Sequence, residues 1–197
     1  MEKAKTAGVL LAAGASRRMG QPKQLLIWQG KSLVAHAAEE LDAVCDYVVV
    51  VTGETDQAIQ AALGEDANTL YNERWQEGMG TSIACGIREI ESVGGFDQVL
   101  IATCDQPGLS RVHYQKLLSE KAKRTGIATA YGNKGGVPAV FSRMHWPHLK
   151  ALSQDRGARE IINDKSKPFY RLVPLEDSRD IDTPEDFQDL TGKAFQD

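Results

Sequence analysis

Apolar positions along the chain alternate between two patterns. Continuous apolar and β-branched runs at 7–13, 47–52 and 98–103 read as strands buried on both faces. Between the first two, Leu33, Val34, Ala37, Ala38, Leu41 and Val44 recur at helical spacing behind Ser32, a natural N-cap. The same spacing predicts helices over 56–63, closed by Gly64, and over 81–90, where Ile83, Ala84, Ile87 and Ile90 share a face. A short strand is expected at 69–71, followed by a loop over 72–80.

The second half is less regular. Ser110 can cap a helix running to about Arg124, and strands are expected at 126–131 and 137–142 around a turn at 132–136. Helical pieces fall at 144–152 and 157–163, and extended segments at 170–174 and 180–182. Thr183-Pro184 is a helix start, with threonine as N-cap and proline in the first helical position. Strand–helix alternation in the first half predicts parallel pairing with right-handed crossovers, and the adjacent strands at 126–142 predict a mixed sheet. The expected fold class is therefore α/β, a three-layer arrangement in a single domain over residues 1–197, with its core at about 7–191.

Charge narrows the choice of ligand. A net charge of −4 argues against nucleic acid or a membrane surface as the main partner. No apolar run approaches the roughly 18 residues of a membrane span. Lys3 and Lys5 ahead of 7–13 imitate a secretory leader, but the apolar core is short and Glu2 dilutes its basic start. Cleavage there would also remove the first strand. Cys45, Cys85 and Cys104 show no C-x-x-C spacing and read as reduced thiols, so a cytoplasmic location is expected. Cys104 precedes an acid, which makes it a nucleophile to weigh against a plain buried residue at a strand end.

On this acidic chain the loop after the first strand is basic. It carries Gly14, Ser16 and Gly20 with Arg17, Arg18 and Lys23. Small residues let backbone N–H groups approach anionic oxygens, and the cations neutralise them. Five residues separate Gly14 from Gly20 and two more precede Lys23, which fits neither a dinucleotide fingerprint nor a P-loop. The cation density suits a triphosphate whose pyrophosphate leaves; the alternative is a solvated turn.

Three further features join it. Asp105 follows a buried strand, at the sheet edge where open α/β folds bind ligands, and is either a Mg²⁺ ligand or a turn aspartate. In the extended segment Asp180-Ile181-Asp182 the two carboxylates point to one side, so Asp182 either completes a metal site with Asp105 or helps to cap the next helix. Gly78-Met79-Gly80-Thr81-Ser82 opens a helix with glycines and hydroxyls suited to a base edge or phosphate, or to ordinary capping. His145 and His148 have a metal-like spacing, but the intervening Pro147 and the lack of acids nearby favour a surface helix start. A cationic loop and two acids are what nucleotidyl transfer needs. A phosphate monoester acceptor, with a second pKa of about 6, would need no general base.

At these residues the chain resembles the MobA-like nucleotidyltransferases. The resemblance rests on Leu11-Ala12-Ala13-Gly14, Ser16, Arg18-Met19-Gly20 and Lys23. Cys104-Asp105-Gln106-Pro107, Gly78 to Ser82, Gly136-x-Pro138-x-x-Phe141, Gly157-Ala158-Arg159 and Asp180 to Asp186 are similar to the molybdenum cofactor cytidylyltransferase branch. The resemblance implies a Rossmann-like, mostly parallel sheet and a Mg²⁺-dependent transfer of CMP from CTP to molybdopterin, with release of pyrophosphate. It places Arg18 and Lys23 on phosphates, Asp105 and Asp182 on the metal, and Leu11, Ala12, Ala13, Gly14, Gly80 and Ser82 around the base. Leu-Ala-Ala-Gly, where the guanylyl branch resembles Leu-Ala-Gly-Gly, leans to CTP. The competing readings are GTP as donor, another acceptor, or a non-catalytic chaperone that carries the molybdenum cofactor to a client molybdoenzyme.

Overall fold

The computed structural model describes residues 4–119, 126–164, 170–174 and 180–192. Its centre is a seven-stranded sheet. The strands of the first half are β1 (Thr6–Leu11), β4 (Tyr47–Thr52), β5 (Thr69–Tyr71) and β6 (Gln98–Thr103); those of the second are β7 (Gly126–Tyr131), β8 (Lys134–Ser142) and β9 (Tyr170–Pro174). A small antiparallel hairpin, β2 (Ile27–Trp28) with β3 (Lys31–Ser32), stands apart from the sheet. The strand order is β5-β4-β1-β6-β8-β7-β9. Pairings are parallel except those of β8 with β6 and with β7, so β8 alone runs against the other described strands of this sheet.

Strand alternation divides the apolar residues between two cores. From β1, β4 and β6, Val9, Leu11, Val49, Val51, Val99 and Ile101 face one side, against α3 (Met79–Val93), α5 (Trp146–Lys150) and α6 (Ala158–Ile162). Their neighbours Leu10, Val48, Val50, Leu100 and Ala102 face the other, against α1 (Leu33–Asp42), α2 (Asp56–Leu63) and α4 (Arg111–Ser119). The result is the expected three-layer α/β arrangement. Gly86 allows α3 to lie close on the sheet, since a Cβ there would sit 2.6 Å from Val9 Cγ1.

Several expected boundaries hold: β4, α2, β5, β6, β7 and β9 span the residues read from the pattern, and Ser32 Oγ caps α1 by accepting from Ala35 N. Helix α3 starts two residues early and runs three residues longer than expected, and a 3-10 turn at Trp75–Glu77 interrupts the predicted loop. The expected helix from Ser110 is seen as α4 to Ser119, and its remaining part lies outside the described residues. Strand β8 begins at Lys134 rather than 137, because a two-residue turn with Gly132 at φ 60° lets Tyr131 pair with Lys134. A bulge follows, since Thr129 pairs with Gly136 while Ala128 pairs with Ala139, and it houses Pro138, which has no N–H to give to a ladder. The hairpin at 27–32 is too short to leave a pattern.

A third, smaller cluster ties the ends of the chain together. Met19, Leu26, Leu33, Ile181 and Phe187 are buried in it, the last on α7 (Pro184–Thr191). Thr183 caps α7 as expected, in a reciprocal capping box with Asp186.

Helices α1 and α4 are linked by Glu40, which accepts from the Arg111 backbone N–H at the start of α4 and from the Arg111 guanidinium at 2.6 Å. Those Arg111 hydrogen bonds are the main reason the Glu40 carboxyl sits below its ordinary value of 4.5, although burial works the other way. A lowered folded-state pKa stabilises above the unfolded value and is lost as pH falls through the folded one. Glu40→Gln is expected to cost about 1–2 kcal/mol at pH 7, Arg111 being half exposed, with the deficit shrinking towards pH 3. Urea melts of both proteins at the two pH values check this.

Candidate active site

Parallel pairing of β1 with β6 sets Leu11 beside Thr103, so the loops that follow leave the sheet together. They do so where the strand order divides, β4 and β5 on one side of β1 and β6 on the other, the usual crevice of open α/β sheets. Gln24 shapes the first loop from inside. Its side chain is 1% exposed, and its Nε2 donates to the carbonyls of Ala12 (3.0 Å) and Gly14 (2.6 Å). Its Oε1 accepts from Ser16 Oγ at 3.1 Å, and that hydroxyl in turn accepts from Lys23 N at 3.0 Å. This lattice holds Ser16 at φ 50° and sets where Lys23 leaves the backbone.

The late segment reaches the same place through its backbone. Ile181 N donates to the Asp105 carbonyl at 2.8 Å, and Ile181 is buried beside Met19 of the first loop. Asp182 is thereby set next to Asp105. Lys23 Nζ lies between them, 2.8 Å from Asp105 Oδ2 and 2.8 Å from Asp182 Oδ1, while Arg18 Nη2 is 2.8 Å from Asp182 Oδ2. Burial acts to lower the Lys23 pKa, yet the Asp105 charge and hydrogen bond, followed by those of Asp182, outweigh it and hold the ammonium above the ordinary lysine value. Burial likewise acts to raise Asp182, and the hydrogen bond and charge of Lys23, then Arg18, keep its carboxyl below the usual range. Both groups are ionised at neutral pH.

Beside this charge cluster opens a cavity of about 390 Å³. Six residues expected at the site line it: Leu11, Ala13, Gly14, Lys23, Ser82 and Asp105. Asp182 joins it through Lys23, and Arg18 joins through Asp182. Ala12 and Gly80 do not line it. Ala12 is buried in the sheet core, where its N–H donates to the Val51 carbonyl and its own carbonyl accepts from Gln24 Nε2. The N–H of Gly80 goes to the Gln154 carbonyl at 2.9 Å, and a Cβ on Gly80 would meet Arg156 O at 2.7 Å. That glycine seats the 153–156 segment on α3; its N–H is not open to a ligand. Ser82 is held by Asn72 Nδ2 at 3.0 Å.

Asp180 and Asp182 also part company: Asp180 Oδ1 accepts from Gln106 Nε2 at 2.5 Å, away from Lys23. The Cys104 thiol is pushed up to about 12, first by burial and then by the Asp105 charge, so it stays protonated and is no thiolate nucleophile. His145 is buried at 3% exposure, edge-on to Phe141, and His148 is exposed. The expected helix start is found, α5 beginning at Trp146, but only His148 of the two histidines faces solvent.

Trp75 and Asp155 line the cavity although neither was expected there, and Met79 of the expected Gly78–Ser82 helix start lines it too. Trp75 packs on Gly53 at the end of β4, where a Cβ would come within 2.9 Å of the ring and 2.8 Å of Ala13 O. A tryptophan in an otherwise polar loop, opposite a strand-terminating glycine, was the available signal. Asp155 follows Gln154, which takes the left-handed φ of 55°.

Among the described residues, no group of three or more His, Cys, Asp or Glu side chains gathers as a metal site. Mg²⁺ asks for less, usually one or two carboxylates with substrate oxygens and retained waters. Asp105 and Asp182, both in contact with one ammonium, satisfy that need: the point between them already holds a positive charge.

With this geometry in place, the family profile described as the MobA-like NTP transferase domain matches residues 8–169. The chain is 32% identical to the purine catabolism protein PucB of Bacillus subtilis (strain 168), covering 95% of this chain and 96% of PucB. It is 36% identical to the nicotine blue oxidoreductase of Paenarthrobacter nicotinovorans, covering 91% and 90%, and 30% identical to a probable molybdenum cofactor guanylyltransferase of Bacillus cereus (strain ATCC 10987 / NRS 248), covering 77% and 75%. Among solved structures, Rv0371c of Mycobacterium tuberculosis H37Rv superposes with a TM-score of 0.83 at 24% identity, over 98% of this chain and all of that one, a likeness of fold.

Gln24→Leu keeps the buried volume but frees the Ala12 and Gly14 carbonyls. It is expected to weaken nucleoside triphosphate binding at least tenfold, by isothermal titration calorimetry, in a protein that still folds.

Proposed function

The chain belongs to the MobA-like NTP transferase family, and on that premise we propose that it transfers CMP from CTP to molybdopterin in a Mg²⁺-dependent reaction that releases pyrophosphate. The observation that carries this reading is the meeting of Lys23, Asp105 and Asp182 at the mouth of the cavity. Asp105 and Asp182 would hold the metal, which when bound supplies Lewis-acid polarisation of the α-phosphate. Lys23 and Arg18 neutralise the β- and γ-phosphates and then the departing pyrophosphate. The amide lattice set by Gln24 orients the Leu11–Gly14 backbone beside the nucleotide. An ionised oxygen of the acceptor's phosphate monoester forms the new bond to the α-phosphorus. The bond from that phosphorus to the bridging oxygen breaks, and its electron pair leaves with pyrophosphate. No proton need be removed, so no base is assigned.

Ala13 supports cytosine over guanine. Its methyl group stands on the cavity wall, where the guanylyl branch resembles glycine, and narrows the space left for a two-ring base.

The test is pyrophosphate release from CTP, GTP, ATP and UTP in turn, with molybdopterin and Mg²⁺. CTP is expected to lead, and EDTA to abolish the signal; turnover with GTP but not CTP would reverse the base assignment. Asp105→Ala is expected to lower kcat about a thousandfold or more in a folded protein. Ala13→Gly is expected to move the GTP-to-CTP ratio of kcat/KM about tenfold towards GTP, the scale on which one methyl group discriminates.

A further inference from the structure

A second polar cluster backs onto the same two aspartates. Gln106, which follows Asp105, is buried and donates from Nε2 to Tyr131 Oη at 2.9 Å as well as to Asp180, two residues before Asp182. Tyr131 Oη donates to the Val137 carbonyl at 2.6 Å, in the bulge of β8. The Arg159 guanidinium lies over the Tyr131 ring, 5.9 Å from its centroid. Gly136 leaves room for the ring, since a Cβ there would lie 3.0 Å from it. Asn163 fixes the surrounding backbone by bonding the N–H and C=O of Gly135 at 2.9 and 2.8 Å and the Arg159 carbonyl at 2.7 Å.

None of Gln106, Tyr131, Arg159 or Asp180 lines the nucleotide cavity. Asp105 therefore stands between two built regions: the basic loop reaches its carboxylate, and the Gln106–Tyr131 network begins at the next residue. Arg159 is exposed, and among the described residues no carboxylate pairs with it. A guanidinium resting on an aromatic face keeps its N–H edge for a ligand and loses little freedom on binding one. Its fork matches a phosphate in two-point contact. In-line displacement requires the attacking group to arrive opposite the departing pyrophosphate, so its binding group has to come from outside the basic loop, as Arg159 does.

We propose that Arg159, stacked on Tyr131, anchors the terminal phosphate of the acceptor. This rests on the nucleotidyl-transfer reading and assigns that reaction its other binding site. Tyr131 is the platform, a positioning residue, and Gln106 couples it to the loop that carries Asp105.

Acceptor affinity is measured in two ways on the full chain: as KM in pyrophosphate release at saturating CTP, and as Kd for molybdopterin by equilibrium dialysis without nucleotide. Arg159→Ala is expected to raise both about 30-fold while the Kd for CTP stays within about twofold. Arg159→Lys keeps the charge but loses the fork and is expected to recover part of the loss, whereas Tyr131→Leu, which removes the platform, should mimic Arg159→Ala. An acceptor Kd that ignores Arg159, or a CTP Kd that rises in parallel, overturns the proposal. Native protein that binds molybdopterin without releasing pyrophosphate overturns the transfer reading instead, and the Kd comparison still decides the role of Arg159. Native protein that binds no molybdopterin contradicts both.

Discussion

The ammonium of Lys23, held between Asp105 and Asp182, is the contact on which the site depends. Two carboxylates brought this close repel each other unless a cation stands between them. Here the cation comes from a loop after β1, one carboxylate from the loop after β6, and the other from the approach to α7. The forces that assemble them are mostly apolar and local. Met19, Ile181 and Phe187 bury themselves together, and the Ile181 N–H docks on the Asp105 carbonyl. Burying such side chains is worth about 1.5–3 kcal/mol each, enough to hold a charged arrangement that gains little from water-exposed ion pairing alone. The hydrophobic cluster thus holds the charged site together, though none of its members carries a charge.

Close backbone approach supplies the rest of the cavity. Gly53 leaves room for Trp75, Gly78 and Gly80 let the 153–156 segment rest on the start of α3, and Gly136 leaves room for the Tyr131 ring. At each position a Cβ would come within 3.0 Å of a neighbour, so these glycines report contacts between chain segments far apart in sequence. The glycines of the basic loop behave differently: nothing lies within 4 Å of a Cβ on Gly14 or Gly20, and Gly20 serves its turn through a φ of 75°.

Much of the fold was legible because parallel strands buried on both faces leave unbroken apolar runs, and caps such as Ser32 and Thr183 mark helix starts locally. The charged half of the site was legible for a similar reason: Lys23 and Asp105 each follow a readable strand, and Asp182 precedes a readable cap. What stayed hidden depends on distant contacts. Gln24 reads as one more polar residue after a loop, and only the fold buries it against Ala12 and Gly14. Trp75 packs on Gly53 across 22 residues of chain, and Tyr131 meets Gln106 across 25 and Arg159 across 28, beyond any periodicity. Gly80 misled because a glycine at a helix start offers an N–H in principle, and here Gln154 takes it.

The most direct test of this account is a crystal structure with Mn²⁺ and a non-hydrolysable CTP analogue, with the metal placed by its anomalous signal. The account predicts a Mn²⁺ peak between the Asp105 and Asp182 carboxylates, with Lys23 turned from them onto the β- and γ-phosphates. A metal bound elsewhere, with Lys23 still bridging the two aspartates beside the bound nucleotide, would contradict it.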